Sequence, residues 1–93
     1  MVRKKVLVID DEEHVRMLYA EELRALGYQV VLSDGSDDPL ALVRDHKPDL
    51  IVLDIKLESK SGLDMLQSLR CSHAKLPIIL CTAYDSFRRP CTG

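Results

Sequence analysis

The stretch Leu50-Ile51-Val52-Leu53-Asp54 decides the fold of this chain. Four consecutive apolar residues after Pro48 and Asp49 make a run that needs burial on both faces, as in an interior strand of a parallel sheet, not the alternation of a strand with one wet face. Asp54 then closes the strand at its carboxyl end. The same figure recurs on either side, where Val6-Leu7-Val8-Ile9 runs into Asp10 and Asp11, and Ile78-Ile79-Leu80-Cys81 runs into Thr82. Parallel neighbours lie roughly 4.8 Å apart, so the strand ends converge on one edge, where open α/β sheets bind their ligands. Three carboxylates and a hydroxyl meeting there imply a divalent cation and a group that the cation helps to transfer.

Between the strands the spacing turns helical. Val15, Leu18, Tyr19, Leu23 and Leu26 form the apolar positions of a helix over 14–26, and Gly27 is its natural C-terminal cap. The first strand spans Lys4 to Ile9 and the second Tyr28 to Leu32. Ser33-Asp34-Gly35-Ser36 is turn chemistry, and Asp38-Pro39 places a capping carboxylate before a first-turn proline. That helix runs from Pro39 to His46 and stops before Pro48. Ile55 to Ser61 reads as a loop, and Gly62 opens a third helix with Leu63, Leu66 and Leu69 as its stripe. Lys75-Leu76-Pro77 leads into the fourth strand, and Ala83 to Gly93 reads as a polar tail. The order βαβαβαβ implies a parallel sheet with right-handed crossovers.

Length and composition bound the function. Ninety-three residues make one domain, 1–93, with a modest buried fraction. A 46% apolar, 30% charged chain of net charge −2 has no long-range attraction for nucleic acid or membrane. Its apolar runs are far below the roughly 18 residues of a membrane span and no signal-peptide core opens it, so a cytoplasmic protein is expected. Cys71, Cys81 and Cys91 have no C-x-x-C and no histidine at ligand spacing, which reads as reduced thiols, Cys81 being a small buried hydrophobe.

The cluster Asp10-Asp11-Glu12-Glu13 stands where many nucleotide-binding folds carry glycines. A glycine-rich turn offers N–H groups to phosphate; consecutive carboxylates repel a bare anion and attract a hard cation. Glu12 and Glu13 also suit the start of a helix, capping its N–H groups and complementing its dipole. Asp10 and Asp11, taken with Asp54, read as metal ligands. His14 reads as a surface residue.

Asp10-Asp11 after the first strand, Asp54 closing the third, Gly62 eight residues later and Thr82-Ala83 closing the fourth resemble the receiver domain of two-component response regulators (CheY-like) over about Lys4 to Tyr84. The resemblance implies a flavodoxin-like three-layer sandwich with sheet order 2-1-3-4. It also implies that Asp54 accepts a phosphoryl group from the histidine of a sensor kinase or phosphotransfer protein, forming an acyl phosphate. Mg²⁺ would be held by Asp10, Asp11, Asp54 and the backbone carbonyl of Lys56, and it keeps crowded carboxylates ionised while neutralising the transferring group. The Thr82 hydroxyl and the Ala83 N–H would bind phosphoryl oxygens; Thr82 also suits a plain strand end. Such a chain is a phosphoacceptor signalling domain, not an enzyme.

The chain departs from the family in three places. Leu57-Glu58 replaces the usual Met-Pro after the phosphoacceptor. The family's fifth strand and helix, with its phosphoryl-neutralising lysine, have no match, Arg88 and Arg89 being the only later cations. The aromatic switch residue of that strand is also unmatched, since Tyr84 lies in the preceding loop. A sheet ending at the fourth strand presents an apolar edge, from which self-association is expected, or else the chain is a fragment of a longer parent. A degenerate receiver serving as an interaction or dimerisation module is the alternative reading. A haloacid-dehalogenase-type phosphatase would need D-x-D at the end of the first strand, which Asp10-Asp11 is not.

Overall fold

Where residues 6–9 and 50–53 lie side by side, the computed structural model, which describes residues 3–54 and 62–81, has its core. The elements are β1 (Lys5–Ile9), α1 (Glu13–Ala25), β2 (Gln29–Ser33), α2 (Pro39–His46), β3 (Leu50–Asp54), α3 (Gly62–Ser72) and β4 (Ile78–Cys81). The strands form a parallel sheet in the order β2-β1-β3-β4, as expected. Residues 55–61 and 82–93, and with them the expected loop and tail, lie outside the described residues.

β1 and β3 are each buried over four of five residues, and alternate side chains serve opposite layers. Leu7, Ile9, Ile51 and Leu53 pack with Val43 of α2 and with Met65 and Leu69 of α3. Val6, Val8 and Val52 face the other way, against Tyr19 and Leu23 of α1. These two apolar layers put helices on both faces, the three-layer arrangement of a flavodoxin-like sheet. Among the described residues β4 is the outer strand beyond β3, and its Ile79 and Leu80 are about half exposed.

Helix ends follow their sequence signals. At the end of α1, Gly27 has φ +97°, its N–H donates to the Arg24 carbonyl, and the Tyr28 N–H reaches back to that of Leu23. This pair of bonds closes a helix on a left-handed residue. At α2, Asp38 Oδ1 accepts the Leu40 N–H at 3.1 Å ahead of Pro39. Glu12 occupies the corresponding place on α1 without a side-chain capping bond, so the expected cap is absent there; its N–H donates instead to Asp10 Oδ1 at 2.8 Å.

Two helical stripes differ from the sequence reading. Leu18 of α1 and Leu26 just past its end are exposed while Ala20 is buried, so the packed face runs through Tyr19, Ala20 and Leu23. On α3, Leu63 is exposed, whereas Gly62, Met65 and Leu69 are buried and Leu66 packs against the core. The spacing 62, 65, 66, 69 is one face of a helix; Leu63 lies a quarter-turn beyond it.

α2 ends on Lys47 at φ 52°, ψ 59°, its N–H bonded to the Val43 carbonyl at 2.8 Å. It is the non-glycine residue at positive φ among those described. A side chain in this region costs about 1–2 kcal/mol, and glycine would forfeit about 0.5–1 kcal/mol through its freer unfolded chain. Lys47→Gly is therefore expected to stabilise the fold by about 0.5–1 kcal/mol, read as a higher urea midpoint at unchanged m-value; a lower midpoint contradicts this account.

Candidate metal centre

Strand pairing assembles the site. Ile9 lies opposite Leu53, so the next residues, Asp10 and Asp54, emerge side by side at the carboxyl ends of β1 and β3. The alternation that sends Val8 and Val52 toward α1 sends these two carboxylates to the same side. Asp10 is fixed further by its N–H, which donates to the Ser33 carbonyl at 3.0 Å, and by its own carbonyl, which accepts from Arg16 Nη1 at 2.8 Å. β1, β2 and α1 thus hold one residue.

Asp10 and Asp54 are buried and Asp11 is half-buried. One carboxylate oxygen from each of Asp10, Asp11 and Asp54 lies within 4.8 Å of the others. At that separation two ionised carboxylates repel by about 3 kcal/mol at an effective dielectric constant of about 20. The consequence is visible at Asp10. Burial first, and then the charges of Asp54, Asp11 and Glu12, push its carboxyl from 3.8 up to about 6, against the pull of the Glu12 N–H that donates to Oδ1 at 2.8 Å.

The donor set suits a hard divalent cation. Oxygens around Mg²⁺ at about 2.1 Å stand roughly 3 Å apart as neighbours and about 4.2 Å apart across the ion, close to the spread of these three. Carboxylates alone, without imidazole or thiolate, favour Mg²⁺ or Ca²⁺ over zinc. Such a cation offsets the burial and the repulsion that together raise the Asp10 carboxyl.

The structure brings together Asp10, Asp11 and Asp54 of the sequence-derived site. Lys56, Thr82 and Ala83 lie outside the described residues, as do Glu58, Arg88 and Arg89. Sequence reasoning missed two residues, Ser33 and Arg16. Ser33 is buried at the end of β2, where its carbonyl holds Asp10 and its Oγ accepts the Gly35 N–H at 3.1 Å. Gly35, at φ +93°, lets the chain turn back there. In the same turn Asp34 accepts from the Ser36 hydroxyl and N–H, which, with a smaller contribution from Arg16, hold its carboxyl below the usual range. Arg16 gave no signal, since an arginine one turn into a helix is ordinary surface chemistry.

The model of the response regulator receiver domain matches residues 6–89. The chain belongs to this family. Among curated relatives, this receiver is 37% identical over 84 residues to the alkaline phosphatase synthesis transcriptional regulatory protein PhoP of Bacillus subtilis, a match covering 90% of this chain and 35% of that protein. It is 34% identical to the response regulator MprA of a Mycobacterium species, covering 96% of this chain and 39% of the other. The receiver thus spans somewhat over a third of the length of these curated relatives. Among solved structures, the response regulator TrrA of Thermotoga maritima in complex with Mg²⁺ and BeF superposes with a TM-score of 0.80 at 35% identity, covering 91% of this chain and 74% of that one. The chemotaxis protein CheY4 of Vibrio cholerae shares the fold, with a TM-score of 0.79 at 22% identity, covering 94% and 77%. No helix among the receiver's described residues is long and apolar enough to cross a membrane.

Proposed function

We propose that this receiver accepts a phosphoryl group on Asp54 from the phosphohistidine of a sensor kinase or phosphotransfer protein, with Mg²⁺ held by Asp10, Asp11 and Asp54. The observation that carries the reading is the convergence of three carboxylate oxygens within 4.8 Å at the end of β3. When bound, Mg²⁺ supplies charge neutralisation for the carboxylates and for the phosphoryl oxygens. An Asp54 oxygen attacks phosphorus; a P–O bond forms as the P–N bond of the donor breaks, and the imidazole leaves with the electron pair and takes a proton from solvent. Asp10, fixed by the Ser33 carbonyl and by Arg16, keeps the acidic pocket in place. The Lys56 carbonyl is assigned to the metal, and Thr82 and Ala83 to the phosphoryl oxygens. Each acyl phosphate records one transfer, so the receiver is a signalling module and not a turnover enzyme, working in the cytoplasm through protein contacts.

The test is intact-mass spectrometry after incubation with Mg²⁺ and acetyl phosphate, in which acetate is the leaving group. An added phosphoryl mass is expected in the parent and none in Asp54→Asn. An adduct in neither protein overturns the reading in favour of an interaction module that has lost phosphorylation; an adduct in both places the acceptor elsewhere.

A further inference from the structure

A cavity of about 620 Å³ opens at the amino ends of β3 and β4, a strand's length of roughly 16 Å from the carboxylates. It lies between the end of α2 and the turn from α3 into β4. Its apolar lining, Val43, Pro48 and Leu76, is continuous with the interior, Val43 belonging to the core and Leu76 packing against it. Its polar lining is basic: Arg44, Lys47 and Lys75, with His73 as a further donor. Among the described residues no carboxylate belongs to the lining. Asp45 pairs with Arg44 at 3.1 Å, but both side chains are largely exposed, and Lys47 and Lys75 have no such partner among the described ion pairs. In a chain of net charge −2, this is a local reversal of sign.

Part of the positive charge has a structural use, since Arg44 and His46 stand in the last turn of α2, where cations complement the helix dipole. Lys47 does not need to be a lysine for that purpose. It holds a left-handed backbone position that glycine fills with less strain, and so brings a cation to the cavity at a cost to the fold. The volume lies in the range of built ligand sites and far exceeds a single inorganic anion. A nucleic acid would need an extended basic track to neutralise successive phosphates, whereas this surface is basic only around an apolar hollow. We infer that the cleft between α2 and the α3–β4 turn docks an acidic peptide segment of a partner protein, an apolar side chain entering the hollow and flanking carboxylates meeting Lys47, Lys75 and Arg44. This contact is independent of phosphoryl transfer at Asp54.

The full chain is followed by amide NMR while a peptide with a Phe-Leu pair between runs of glutamate is added. Saturable shifts are expected at residues 43–48 and 73–76, weakening as salt screens the contacts. Lys47→Gly is expected to weaken binding about threefold, within the range for one exposed charge contact, and Lys75→Glu, which reverses a charge where the other removes one, about tenfold. Because Lys47→Gly is expected to be at least as stable as the parent, its weaker binding does not reflect unfolding. Absence of shifts, shifts centred on Asp10 and Asp54, an equal response to a control peptide with the same Phe-Leu pair between runs of lysine, to inorganic phosphate or to a short single-stranded DNA, or unchanged affinity in both variants overturns the inference.

Discussion

Asp10→Asn is expected to stabilise the metal-free protein by up to about 3 kcal/mol at pH 7, while leaving it no more stable than the parent at pH 4. The amide keeps the shape of the side chain and an oxygen for the Glu12 N–H, and removes the charge that burial, Asp54 and Asp11 disfavour. The sign follows from linkage. The folded parent holds a proton on Asp10 up to about pH 6, whereas the unfolded chain releases it near 3.8, so between these values the folded state binds more protons. The stability that this group contributes is complete below about pH 4 and is lost as pH rises through about 6. A displacement of about two pKa units corresponds to about 3 kcal/mol. Urea midpoints of the two proteins should therefore coincide at pH 4, separate between pH 4 and 6, and stay apart above. Mg²⁺ narrows the gap from the parent's side, contributing about 1.4 kcal/mol at ten times its Kd. A separation that shrinks with rising pH, or a parent indifferent to Mg²⁺, contradicts the assignment.

Leu53→Ala is expected to cost about 3–5 kcal/mol. Leu53 is fully buried on the inner strand β3, beside Ile9 and in the same cluster as Met65 and Leu69. The surrounding residues belong to paired strands and packed helices, which limits collapse into the void. A small domain has only about 5–15 kcal/mol of stability in total, so a large part of it goes with one side chain. Leu63→Ala supplies the contrast: Leu63 is 56% exposed, and its change is expected to stay within about 0.5 kcal/mol. Denaturant titration of both variants checks the pair. A loss below about 1.5 kcal/mol for Leu53→Ala, or equal losses for the two, counts against the two-layer core.

Much of this architecture was legible because the interior strands carry unbroken apolar runs. Val6 to Ile9 and Leu50 to Leu53 permit little besides a doubly covered sheet, and each runs directly into a carboxylate. The helical faces were less legible. Leu18, Leu26 and Leu63 sit at plausible intervals, but leucine is at home on an exposed helix surface, and Ala20 is too small to announce burial. The same limit applies to Ser33, whose importance lies in its backbone carbonyl, a group every residue possesses. Arg16, reaching from α1 to the Asp10 carbonyl, depends on how the helix is seated over the sheet, which no local pattern encodes.

Pairing Ile9 with Leu53 also makes the acidic pocket intolerant of insertion. One additional residue within Leu50–Leu53, with its upstream half still seated against β1, would swing Asp54 from the α1 layer toward Met65 and Leu69, because neighbouring side chains on a strand point opposite ways. Every ligand would survive in the chain and the metal would have lost its nest. Length changes that keep the pocket are therefore those in the connecting segments, and the chemistry is guarded by counting as much as by residue identity.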